Sequence, residues 1–226
     1  MQARVIAPVD LAPLDAELLD DSGRMRLLPA ARLLALGADP LAAWANRRAR
    51  YGLVTEELIR FLRTDVLDGR HASAPAEALE IGAGMGDLGR HLGVHMTDSA
   101  SQTTPEMRLY YAELGQPVID PPPDVERLDA IAAVTRYRPR VVIASWCTQL
   151  YRDGDTPRGI GSSIVGIDEE WILDRDGVEA YVHIGNVSPH GTKRINVREH
   201  TTLRARWIVS RAFDQDKNLI QIWRRK

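Results

Sequence analysis

Residues 79–89 read LEIGAGMGDLG, an apolar run that breaks into glycines at positions 82, 84, 86 and 89. Such a run is a short buried strand. Glycines at alternate positions then let the backbone turn through left-handed conformations that a Cβ disfavours. No side chain stands between that turn and a ligand, and a helix opening after it aims free N–H groups at the same point. Glycines also serve plain tight turns, so the loop marks a ligand-binding turn without naming the ligand.

Downstream the chain alternates short apolar strands with helical segments. Strands are expected at 78–81, 93–97, 117–119, 141–144 and 179–184, and helices at 105–114 and from Val125 to about Tyr137. The run Val141-Val142-Ile143-Ala144 is continuous and mostly β-branched, as in the middle of a parallel sheet covered on both faces. The end of the chain breaks this rhythm. Strands at 206–210 and 219–223 are joined by the polar stretch 214–218, too short for a crossover helix, so they form an antiparallel hairpin. The expectation is an α/β, Rossmann-like three-layer sandwich with a mostly parallel sheet ending in an antiparallel C-terminal hairpin.

Residues 1–76 read instead as a helical N-terminal extension or cap, leaving 77–226 as the main domain. Pro29 and Gly37 bracket one short helix, Asp39-Pro40 opens a second, and Thr55 caps a third with an apolar face of Val54, Leu58, Phe61, Leu62 and Val66. The stretch 73–75 is the hinge between the two parts. Arg47, Arg48, Arg50 and Tyr51 form a substrate-facing patch or a solvated helix face.

A net charge of −2 over 226 residues gives no whole-chain field for nucleic acid or membranes, so a nucleic-acid partner is not expected. Cys147 is the only cysteine, which rules out an intrachain disulfide and a multi-cysteine zinc site and fits a reducing compartment. No apolar run spans a bilayer and the first residues lack a signal-peptide core, so a cytoplasmic protein without a membrane partner is expected. Two histidines among scattered acids make no metal motif, and no metal is expected.

The spacing GMGDLG from Gly84 to Gly89 also spells a dinucleotide fingerprint. That pattern asks for an acid about twenty residues on, whereas Asp98 follows Gly84 by 98 − 84 = 14, and it gives Glu80 no role. An NAD-binding oxidoreductase is therefore the lesser alternative. The combination of Glu80, Gly82, Gly84, Gly86 and Asp98 resembles the first motifs of class I S-adenosylmethionine-dependent methyltransferases. The resemblance covers roughly residues 77–226 and implies their fold, a seven-stranded sheet with S-adenosylmethionine as cofactor. It implies that Gly82 and Gly84 lie against the cofactor's amino-acid half, that Gly86 belongs to the same cofactor-binding loop, and that Glu80 pairs with the ammonium directly or through water. Asp98, with Ser99 beside it, would take the ribose hydroxyls, since a carboxylate accepts two hydrogen bonds and donates none. Asp98 also reads as a helix cap. Asp124, with Asp120 second, is the candidate for the adenine amino group, although a helix cap explains Asp124 equally well. Ser145 and Trp146, placed with the cofactor-binding residues, stand where the family's catalytic or substrate motif begins; Trp146 reads as a stack for adenine or substrate or as a core tryptophan. Ser-Trp-Cys-Thr is not the motif of DNA amino-methyltransferases, and Cys147 lacks the setting of DNA cytosine-C5 enzymes.

Methyl transfer rests mainly on positioning, and a base is needed only when the acceptor must lose a proton. Candidate catalytic residues are Tyr151, Asp168, His183 and His190, with Glu169, Asn186 and Lys193 nearby. His183 lies inside a strand, where a core histidine is the commoner reading. The glycine-containing stretch 152–164 is a candidate lid. The expected acceptor is a small molecule; the alternative is a non-catalytic cofactor-binding protein on the same fold. Trp207 and Trp223 mark either a contact in a homo-oligomer or burial within the chain.

Overall fold

A computed structural model describes residues 10–69, 74–155 and 161–225. The central sheet comprises β1 (Ala78–Ile81), β2 (His95–Asp98), β3 (Glu126–Arg127), β4 (Val141–Ser145), β5 (Ala180–Asn186), β6 (Thr201–Leu203) and β7 (Asn218–Arg224). Their order is β3-β2-β1-β4-β5-β7-β6, and β7 alone runs against its neighbours. This is the expected Rossmann-like α/β fold. The strand order reverses between β1 and β4, so a crevice opens beyond their carboxyl ends.

In chain order the helices are α1 (Ala12–Leu18), α2 (Ala30–Ala35), α3 (Ala38–Arg47), α4 (Glu56–Phe61), α5 (Asp87–Leu92), α6 (Pro105–Glu113), α7 (Ala130–Tyr137), α8 (Glu169–Leu173) and α9 (Val187–His190). Strand side chains alternate between two cores, as a period of two requires. Ala78, Val141, Ile143, Val182 and Ile220 pack with α4, the π-helical turn Leu62–Val66 and α5. Leu79, Ile81, Val142, Ala144, Tyr181 and Trp223 pack with α7 and α8 on the other face. With both faces covered, β4 needs no polar alternation. Thr55 caps α4 by accepting the Leu58 N–H at 3.1 Å, as its sequence position predicts. Residues 56–66 thus belong to the sheet's own core. α1–α3 form a separate cluster around Leu18, Leu33 and Trp44, completed by Leu53 and Val209.

Several local expectations are corrected. Residues 117–119 are not a strand; the third strand is Glu126–Arg127, inside the segment expected to be helical. The helix starts later because the Asp129 carboxylate takes the N–H groups of Ile131 and Ala132 and so fixes the first turn at Ala130. Asp39 does not cap α3; it lies in the first turn, and Gly37 holds the cap position with φ +87°. The C-terminal hairpin pairs β7 with Thr201–Leu203 rather than with 206–210. Val209–Ser210 pairs antiparallel with Gly52–Leu53, tying the chain's early segment to its end. Trp223 sits in an interior strand, fully buried, with its indole N–H donating to the Ile195 carbonyl at 3.1 Å. Trp207 is half-buried against Phe61, ring centroids 5.5 Å apart. Burial within the chain therefore accounts for both tryptophans. Ser73 of the expected hinge and residues 156–160 of the expected lid lie outside the described residues. Among the described residues no helix is long and apolar enough to cross a membrane.

Candidate functional site

The carboxyl ends of β1, β2, β4 and β5 open into a cavity of about 660 Å³. One half is built by the glycine turn. Gly82, Gly84 and Gly86 all have positive φ (+58°, +56° and +71°). A Cβ on Gly82 would lie 2.5 Å from the Cys147 Sγ, so the turn needs glycine there for space as well as for conformation. Asp98 at the end of β2 pins this turn. One of its oxygens accepts the Gly84 N–H at 2.9 Å and the other accepts the Ala100 N–H at 2.7 Å.

Glu80 lies beneath the turn, on β1, and is almost wholly buried. Its carboxylate accepts the Gly89 N–H at 2.7 Å. Burial, reinforced by the nearby Asp87 and Asp98 charges, pushes its carboxyl up to about 8 against the partial offset of that bond. Gly89 is required by the same contact, because a Cβ there would fall 2.5 Å from the Glu80 Oε2. At the floor of this half the Arg50 Nε stands 2.9 Å from the Asp87 Oδ2, both side chains buried. Arg50 is thus a buried, neutralised arginine of the cavity wall and not part of a solvated face; Tyr51 lines the same wall.

The structure places the remaining expected residues unevenly. Ser99 is exposed on the cavity rim, and Ser145 and Trp146 line the wall at the end of β4. Asp124 is neither a helix cap nor a wall residue. It accepts two bonds from the Arg90 guanidinium, at 2.9 and 3.1 Å, which hold its carboxyl below the usual range. Asp120 is ion-paired with Arg127 at 2.9 Å. The acid on the wall after β3 is Asp129, followed directly by Ala130. The sequence hides Asp129 because Val125 and Leu128 continue a helical spacing across the third strand, so no strand end marks the acid that follows it.

The other half of the cavity lies over β4 and β5. Trp146 has φ +58°, and its ring meets that of His190 edge-on, centroids 5.3 Å apart. His190 is buried and its Nδ1 accepts the Asn186 backbone N–H at 3.1 Å. The proton of the neutral ring therefore sits on Nε2, and burial together with the Lys193 charge holds the ring neutral. His183 is not on the wall. It is fully buried behind His190, ring centroids 4.6 Å apart, with neither nitrogen hydrogen-bonded among the described residues. Burial drives its protonation far below the usual histidine range. Tyr151 is likewise off the wall. Asp168 reaches the rim but is occupied, capping α8 at Trp171 and pairing with Arg152 at 2.7 Å. Lys193 and Glu169 form a buried ion pair at 2.6 Å, with the Tyr181 hydroxyl donating to the same carboxylate at 2.7 Å. Asn186 caps α9 by accepting the Ser188 N–H at 3.0 Å. Among the described residues no cluster suited to a metal ion is present.

No protein-family model matches the sequence, and no curated protein matches it. Among solved structures the chain is similar to the crystal structure of the 23S rRNA methyltransferase ErmE. The identity is 16% and the TM-score 0.39, over 76% of this chain and 68% of that one. A likeness at that level adds nothing to the strand order, which stands on the register of the sheet itself.

Proposed function

We propose that the protein is an S-adenosylmethionine-dependent methyltransferase. One observation carries the reading. Glu80, the glycine turn, Asp98 and Asp129 succeed one another along the ends of β1, β2 and β3 on one wall of a single cavity, while its other half stays open for an acceptor. The donor set fits the cofactor. A Cβ-free turn with positive φ admits an amino-acid group close to the backbone. A partly buried carboxylate at the end of β2 offers acceptors to a pair of ribose hydroxyls. After β3, the Asp129 carboxylate beside the Ala130 N–H offers the acceptor and donor that the edge of an adenine requires.

When bound, the cofactor supplies a methyl group made electrophilic by a sulfonium. The chain's residues then have to orient an acceptor and exclude water. Over β4 and β5 no free general base stands on the described wall: His190 presents a protonated Nε2, and Asp168 is held by Arg152. We infer an acceptor that carries no proton on its nucleophilic atom or loses that proton to water or to a rim carboxylate such as Glu106. Glu80 contributes electrostatically. A cationic ammonium beside it favours the carboxylate, so binding releases a proton below about pH 8 and affinity rises with pH up to that point.

Calorimetric titration with S-adenosylmethionine, S-adenosylhomocysteine and NAD tests the reading. The first two should bind in the micromolar range, and Asp98→Asn should weaken both by about tenfold or more. Binding of NAD alone, or of none of the three, overturns it.

A further inference from the structure

The half of the cavity over β4 and β5 contains a cation that the cofactor reading leaves unused. Arg211 follows the short strand Val209–Ser210, and its guanidinium carbon stands 3.7 Å from the centroid of the Tyr51 ring and 5.6 Å from that of Trp146. Its Nη1 donates to two neutral amide oxygens, Asn46 Oδ1 at 3.1 Å and Gln116 Oε1 at 3.4 Å. Among the described residues no carboxylate is ion-paired with it; the groups that act on its charge are Tyr51 and Tyr111. Arg50, the other arginine lining the cavity, and three further arginines off its wall differ. Arg50 faces Asp87, Arg90 faces Asp87 and Asp124, Arg152 faces Asp168 and Glu170, and Arg194 faces Asp155 and Glu170. A largely buried guanidinium held on aromatic faces without a counter-ion is oriented to receive an anion from outside the chain.

We propose that Arg211 is the anion-recognition residue of the acceptor site and that the acceptor is a flat, carboxylate-bearing small molecule. The inference rests on the methyltransferase reading for the word acceptor, but the binding preference itself does not. A flat molecule suits a space lined by aromatic residues: Tyr51, Tyr111 and Trp146 all line the cavity, and the guanidinium itself rests on Tyr51. The rim favours a small apolar molecule over a nucleic acid. It carries exposed Tyr110, Leu114, Ile131, Ile164 and Val165 together with the acids Glu106 and Asp129. A phosphate backbone needs several cations along its track, which this rim lacks among the described residues. Position separates Arg211 from the proposed cofactor wall, since it contacts Trp146 after β4 while that wall runs along β1, β2 and β3.

The test uses the full chain saturated with S-adenosylhomocysteine and, in parallel, without it. Benzoate, 4-hydroxybenzoate and phenylacetate are titrated against their uncharged amides by ligand-observed NMR. The acids should bind about tenfold or more tightly than the amides. Arg211→Gln should abolish that preference and Arg211→Lys should keep part of it, with thermal unfolding checking that both variants are folded. Affinity for S-adenosylhomocysteine should change less than twofold in either variant. Equal binding of acids and amides, or a preference that survives Arg211→Gln, overturns the proposal. So does a loss of S-adenosylhomocysteine affinity in Arg211→Gln with 5′-methylthioadenosine unaffected, because Arg211 would then hold the cofactor's own carboxylate. Tighter binding of an RNA oligonucleotide than of any acid also overturns it. If native protein ignores S-adenosylhomocysteine yet keeps the Arg211-dependent preference for acids, the cofactor reading fails and the anion site stands.

Discussion

The two halves of the cavity are made in different ways. Over β1, β2 and β3 the wall is mostly backbone: three glycines at positive φ, an N–H pinned by Asp98 and a helix start pinned by Asp129. Over β4 and β5 it is side chain on side chain: Trp146 against His190, which His183 backs from behind the wall, and Arg211 on Tyr51. A backbone-built site leaves a local mark, because its glycines and acids must fall at fixed spacings. A site built from side chains gathers residues from distant segments and leaves none.

That difference predicts different responses to substitution. The largest effect should come from the side-chain half. Lys193→Met leaves Glu169 buried without its cation and should cost about 3–5 kcal/mol in chemical denaturation. In whatever fraction remains folded, the His190 ring should protonate at higher pH, read by NMR titration, because the Lys193 charge no longer opposes it. Next is the turn: Gly82→Ala forces a positive φ on a residue with a Cβ and drives that atom toward Cys147. It should cost roughly 2–3 kcal/mol in thermal unfolding and remove cofactor affinity.

Glu80→Gln separates charge from shape. In the native chain the carboxyl keeps its proton up to about 8 when folded, against an ordinary value of 4.5. Between those pH values the folded state holds a proton that the unfolded state has lost. Stability from this group is therefore complete below about pH 4.5 and falls as pH rises toward 8. Denaturation across that range should give a flatter profile for Glu80→Gln, the native chain losing at most about 1.4 kcal/mol per pH unit that the variant keeps. An unchanged slope would mean that Glu80 is ionised in the folded chain. The smallest effect belongs to exposed Ser99: Ser99→Ala should alter stability by less than about 0.5 kcal/mol. A cofactor loss above twofold there would show that the rim contacts the ligand directly.

The same contrast explains what could be read from the sequence. The glycine turn, Glu80, Asp98 and the buried run of β4 were legible, because each is specified within a few neighbouring residues. The third strand was misplaced because Val125 and Leu128 mimic a helical face, whereas the helix boundary is set by Asp129 two bonds into the next turn. The partner of β7 was misread because Trp207 to Ser210 is as apolar as a sheet strand, yet its pairing is with Gly52–Leu53. Arg211 carries no local signal at all. Its significance is that no acid meets it, and that depends on the tertiary arrangement.

A crystal structure with S-adenosylhomocysteine tests the division of the cavity most directly. The adenosine should lie along Asp98 and Asp129 and the homocysteine over Gly82 and Glu80, with the space beside Arg211, Tyr51 and Trp146 left open. A ligand whose adenine lies against Trp146, or whose carboxylate is bound by Arg211, would contradict that division.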